Sequence, residues 1–197
     1  MGQPQALLSL AEYLAIERED NQRYEYHHGE LYAMAGGTLS HTRICGNFFA
    51  NARTGLDGRD CEVLNSELKV QIEPGQRYVY PDATISCPEP IESEVLTGAI
   101  VNPTVVVEVL SSGSSDYDRT EKFSLYFRLP SVKEYVLIAQ HHPFVSVFRR
   151  HKDSMLFAHE VFSGLETELE LRSVDLRLPL AGIYANVKFP PEREVTR

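Results

Sequence analysis

The chain has 197 residues, 43% of them hydrophobic, and a formal net charge of -9. That is enough apolar content for one well-buried core and too little for two. The acidic balance excludes a protein that coats nucleic acid without regard to sequence, because such binding depends on dense positive charge, but it leaves room for local basic clusters at Arg149, Arg150, His151 and Lys152 or at Arg119, Lys122, Arg128 and Lys133.

No apolar run reaches the length of a membrane span, and the first twenty residues lack the basic region and cleavage site of a signal peptide. The expectation is a cytoplasmic protein with no membrane partner. Cys45, Cys61 and Cys87 are odd in number and far apart, without CxxC spacing. They read as small buried hydrophobes, with neither a disulfide framework nor a zinc knuckle.

A helix is expected from Ser9 to about residue 19, because Ser9 and Glu12 have capping-box spacing. Short strands follow at Tyr24 to His27 and Glu30 to Met34, turning at Gly29. A second helix spans about Ser40 to Leu56, with Ile44, Phe48 and Phe49 on its apolar side. Strands are then expected at Glu62 to Leu64, Glu67 to Ile72, Tyr78 to Ser86 and Thr104 to Leu110, with a hairpin turn at Pro74 and Gly75. A helix from about Asp118 to Arg128 leads to a strand at Glu134 to Ala139. Further strands near Phe144 to Arg149, Met155 to Phe162 and Glu168 to Leu171 add to the sheet, and a short helix follows Pro179. The elements predict one domain over residues 1–197, with its core at about 24–139 and closing strands and helix at 144–187. Its class is α/β, of the α+β type, with a central mixed sheet flanked by helices.

One strand carries the chemical signal. TVVVEVLS, from Thr104 to Ser111, is apolar enough to be buried on both faces, yet holds Glu108 in its middle. An ionised carboxylate buried without compensation costs several kcal/mol. Upstream, YVYPDATIS places Asp82 in similar surroundings. If the two strands are antiparallel neighbours, both carboxylates project at cross-strand distance. Such a pair needs a shared proton or a hard cation, and magnesium suits oxygen ligands. The alternative is that Asp82 starts a turn after Pro81 and Glu108 pairs with a buried base.

Pro81-Asp82 followed by Glu108 looks like the PD-(D/E)xK nuclease motif. YEYHHGELYAMAG, His41, YPDATIS, VVVEVLSSGSSDYDRTEKFSLY and KEYVLIA together resemble the Uma-type restriction endonuclease family of that superfamily, over roughly Tyr24 to Ala139. The resemblance implies a restriction-endonuclease-like fold and hydrolysis of DNA phosphodiester bonds with Mg2+ or Mn2+ held by Asp82 and Glu108. Two residues after Glu108, where the superfamily usually has lysine, stands Leu110. The resemblance implies that Lys122, from the next helix, takes that place, and that Glu25 adds a third acid. On the residues alone, Lys122 could equally pair with Asp118 on a solvated helix face.

Other residues stay in play. Glu67 and Lys69 also spell ExK, with Asp60 upstream, although their strand reads as half exposed. Lys69, His41 and Arg119 are secondary candidates. His27-His28 and His141-His142 read as surface residues, and Tyr78, Tyr80 and Tyr126 as core, with the alternative that one of their hydroxyls points into the cleft. A fold that has lost catalysis and binds nucleic acid or protein is the competing function, and a small-molecule phosphohydrolase a third. DNA is the expected substrate and a homodimer a possible working form.

Overall fold

The computed structural model describes residues 7–34, 36–110, 118–151 and 156–190, the side chains of Asp118 and Arg119 excepted. Helix α1 (Leu10–Asp20) starts at Ser9, whose hydroxyl and Glu12 form the expected capping box. Strands β1 (Tyr24–His27) and β2 (Glu30–Ala33) pair around Gly29, which has a φ of 93°. Helix α2 (Leu39–Gly55) is capped by the Thr38 hydroxyl.

Next come β3 (Glu62–Asn65), β4 (Lys69–Glu73), β5 (Arg77–Val79), β6 (Ala83–Ser86), β7 (Ala99–Ile100) and β8 (Val105–Leu110). A π-helical turn, Asp118–Lys122, runs into α3 (Phe123–Tyr126). The chain closes with β9 (Glu134–Ala139), β10 (Phe144–Arg150), β11 (Phe157–Ser163), β12 (Glu168–Leu171), β13 (Leu176–Pro179) and α4 (Leu180–Ile183). Among the described residues no helix is long and apolar enough to cross a membrane.

The central mixed sheet has six strands in the order β11-β10-β9-β8-β6-β3, parallel only between β8 and β9. A second mixed sheet has the order β2-β1-β5-β4-β7. The segment read as one strand from Tyr78 to Ser86 is in fact two, β5 in the smaller sheet and β6 in the larger. The cause is Pro81: it has no N–H to give a ladder, and the chain leaves one sheet there and enters the other. Among the described residues, strand β12 pairs with β13 alone and does not extend the central sheet.

Three apolar clusters define the layers. Tyr13, Tyr26 and Tyr78 pack α1 on the outer face of the smaller sheet. Val70, Val79, Val106, Leu110, Tyr126 and Tyr135 fill the space between the two sheets. Ile44, Phe48, Val107, Ile138, Leu171 and Leu180 seal the far face of the central sheet with α2, β12 and α4. Because side chains alternate along a strand, each position is assigned to a layer by its parity.

The cysteines depart from expectation. Cys61 and Cys87 form a disulfide and Cys45 alone is free. They flank the antiparallel pair β3–β6, whose register sets Glu62 opposite Ser86, so the residues just outside it meet with 4.4 Å between Cα atoms. That proximity comes from long-range pairing and leaves no trace in local spacing.

Candidate active site

Glu108 lies on β8 between Val106 and Leu110, and parity aims it into the seam between the sheets. Glu25 alternates with Tyr26, which faces α1, so Glu25 enters the same seam from the smaller sheet. Both carboxylates are buried, Glu25 at 5% and Glu108 at 4% exposure. The ammonium of Lys122 stands 3.0 Å from each. The π-helical turn delivers that lysine, a helical form recurrent at functional sites. Here the sequence alternative of a solvated pair is replaced by a side chain that is itself buried.

The Tyr126 hydroxyl donates to Glu108 at 2.8 Å, and the Tyr80 N–H donates to Glu25 at 3.3 Å. His27 Nε2 lies 3.5 Å from Glu25. Burial drives the Glu25 carboxyl up, but Lys122 and His27 outweigh it and hold it below the usual carboxylate range. Burial, then the Glu108 and Glu25 carboxylates, push the Tyr126 phenol well above its ordinary value, so it acts as a neutral donor.

Asp82 directly precedes β6. The β6–β8 register pairs Ala83 with Val107, and one further step sets Asp82 opposite Glu108, as expected of antiparallel neighbours. Asp82 Oδ2 accepts from the Val109 N–H at 2.7 Å, so the second acid sits against the peptide that follows Glu108. His41, in the first turn of α2, places Nε2 3.2 Å from the same oxygen. One turn on, Cys45 Sγ is 3.5 Å from His41 Nδ1. Burial first, then Asp82 and Glu108, raise the Cys45 thiol and keep it protonated.

The secondary candidates separate. Lys69 has the parity of Gln71, opposite to Val70 and Ile72, and so points away from the seam. Its ammonium pairs with Glu17 at 2.7 Å and lies over the rings of Tyr13 and Tyr80. Glu67 is exposed beside Arg23, and Asp60 is exposed after α2. The side chain of Arg119 and the residue Lys152 lie outside the described residues. Arg149 is buried against Glu134 and Glu160, and Arg150 binds the carbonyls of Val132, Phe127 and Leu129. Those two arginines hold the fold together and do not form a phosphate-facing cluster.

Sequence reading missed His27 and Cys45 as members of this neighbourhood, and of the three tyrosines it weighed it is the Tyr126 hydroxyl that reaches Glu108. For His27 the available signal was Glu25 two residues before it, since i and i+2 share a strand face. For Cys45 it was His41 one helical turn earlier.

A layered α/β fold with acids from two sheets meeting one lysine defines a restriction-endonuclease-like protein. Residues 10–181 match the model of the Uma2 family, described as "Putative restriction endonuclease", and the chain belongs to that family. It is 34% identical over 184 residues to the uncharacterized protein slr1290 of Synechocystis sp., covering 92% of this chain and 94% of that one. A second uncharacterized Synechocystis protein, sll1609, is 31% identical over 134 residues, 68% of this chain and 76% of its own. The fold is similar to the crystal structure of a putative nuclease belonging to DUF820 from Anabaena variabilis, with a TM-score of 0.71, 18% identity, and coverage of 90% and 97%.

Proposed function

We propose that the protein is a metal-dependent nuclease that hydrolyses DNA phosphodiester bonds, with Asp82, Glu108, Lys122 and Glu25 as its working residues. The observation that carries this reading is the Lys122 ammonium, 3.0 Å from Glu108, while Asp82 rests on the next peptide of the same strand. The donors fit a hard divalent cation: Glu108 presents its carboxylate from β8 and Asp82 from the residue just before the neighbouring β6, held there by the Val109 N–H. Asp82 and Glu108 would hold Mg2+ or Mn2+, which when bound supplies Lewis-acid polarisation of the phosphoryl group and an activated water.

The chain's own residues do the rest. Lys122 offsets negative charge developing on phosphoryl oxygens, acting from a buried position where such a charge is effective. Glu25 and Glu108 fix its ammonium, and Tyr126 fixes Glu108. The Val109 N–H orients Asp82, and the surrounding apolar seam limits water around the group.

The test is cleavage of linear and supercoiled DNA with Mg2+ or Mn2+, in wild type and in Glu108→Gln. Cleavage that needs the cation and falls at least 100-fold in the variant, the scale of losing one strong transition-state contact, is expected. DNA binding without cleavage under any cation supports the binding module instead.

A further inference from the structure

We propose that His41, Cys45 and Asp82 form a binding site for a thiophilic divalent cation of the Zn2+ class, distinct in donor chemistry from the Asp82–Glu108 oxygen pair and sharing Asp82 with it. One ligand atom from each of the three residues lies within 4.8 Å of the other two. The imidazole Nε2 and carboxylate Oδ2 are already 3.2 Å apart. Zinc bond lengths imply tetrahedral edges of about 3.3 Å between nitrogen and oxygen and about 3.6 Å to sulfur. Cys45 Sγ contacts the other ring nitrogen, Nδ1, at 3.5 Å, so bringing the thiol and the carboxylate to one cation takes a rotation of the Cys45 or His41 side chain.

The donors are also mounted for the purpose. His41 and Cys45 stand one turn apart on α2, whose far end is anchored in the core by Phe48 and Ala52. The Val109 N–H donates to the same Oδ2 and so fixes the orientation of the Asp82 carboxylate. All three side chains are only partly exposed, so they are sheltered yet reachable. Sulfur, nitrogen and one oxygen favour zinc over magnesium, which prefers oxygen alone. Three protein ligands leave a fourth position for water.

A regulatory consequence rests on the nuclease reading. Zinc at this site draws Asp82 from its partnership with Glu108 and lowers magnesium-supported cleavage.

The deciding experiment is a Co2+ titration of the full, metal-free chain, followed by absorption. Wild type should develop visible bands of tetrahedral cobalt and a thiolate charge-transfer band at one equivalent, bleached by Zn2+ but not by a hundred-fold excess of Mg2+. Cys45→Ser should lose the charge-transfer band, and His41→Gln should keep a thiolate band while weakening affinity at least tenfold, the scale of losing one ligand-shell interaction. No thiolate band in wild type, or an unchanged band in Cys45→Ser, overturns the site. These spectra need no cleavage. A chain that cuts DNA with no cation loses the proposed function while the cobalt bands still decide this site.

Discussion

Replacing Lys122 by methionine keeps the length of the side chain and removes its charge from between Glu25 and Glu108, each 3.0 Å away. With all three residues at most 7% exposed, two carboxylates remain buried without the cation between them. Breaking a buried ion pair by deleting one partner costs about 3–5 kcal/mol, which for a chain of this size lowers the melting temperature by about 6–20 °C. Urea denaturation in chelator at pH 7 measures the loss directly. The pH dependence carries a second signature. In wild type the depressed Glu25 carboxyl contributes stability that is present above the ordinary carboxylate range and lost as pH falls through its lowered value. In Lys122→Met, burial and like charge raise the two carboxyls, so the variant takes up protons on folding and gains relative stability as pH falls. The deficit should therefore narrow between pH 7 and pH 5. The triple variant Lys122→Met, Glu25→Gln, Glu108→Gln removes the stranded charge and should recover most of the loss. A deficit under about 1 kcal/mol, a size ordinary for exposed pairs, or a triple variant as unstable as the single one, refutes the reasoning.

Tyr126→Phe deletes the hydroxyl that donates to buried Glu108, and should cost about 1.5–3 kcal/mol, the range for a hydrogen bond to a charged group; a change within measurement error in urea denaturation contradicts the contact. Glu17 is held below the usual carboxylate range because Lys69, the Tyr80 hydroxyl and the Tyr24 N–H together outweigh its burial. Its stabilisation is therefore full above that range and fades as pH falls through the lowered value, so an acid titration of melting temperature should be flatter in Glu17→Gln than in wild type. Leu110→Lys puts an ammonium among Val106, Leu125 and Tyr135 and should destabilise the fold strongly; unchanged stability would mean that this position opens to the site.

Glu108 was legible because a carboxylate inside an unbroken apolar strand is an anomaly that calls for compensation. Asp82 was legible through its place after Pro81, Lys122 only through the family resemblance, since Leu110 stands where the motif has lysine, and α1 through Ser9 and Glu12, two residues at capping-box spacing. What the sequence withheld is long-range. Nothing local says that Pro81 hands the chain from one sheet to another, and without that break the parity of Lys69 and Glu25 has no common reference. The disulfide between Cys61 and Cys87 depends on β3 meeting β6, and the fate of Arg149 depends on Glu134 and Glu160 arriving beside it. Residues 111–117 lie outside the described residues.

Lys122 joins a residue from each of two sheets, and Glu25 and Lys122 are about a hundred residues apart in sequence. Closing so long a loop is entropically slow and brings no reward until the contact itself forms. Before then Glu108 can bury itself only at a penalty, so docking of the sheets and neutralisation of the acids must occur together. The ordering of this seam becomes a checkpoint in assembly: a chain that has collapsed without it keeps the smaller sheet loosely attached, and amide exchange in β1 and β5 should respond to changes at Lys122 while β9 and β10 stay protected.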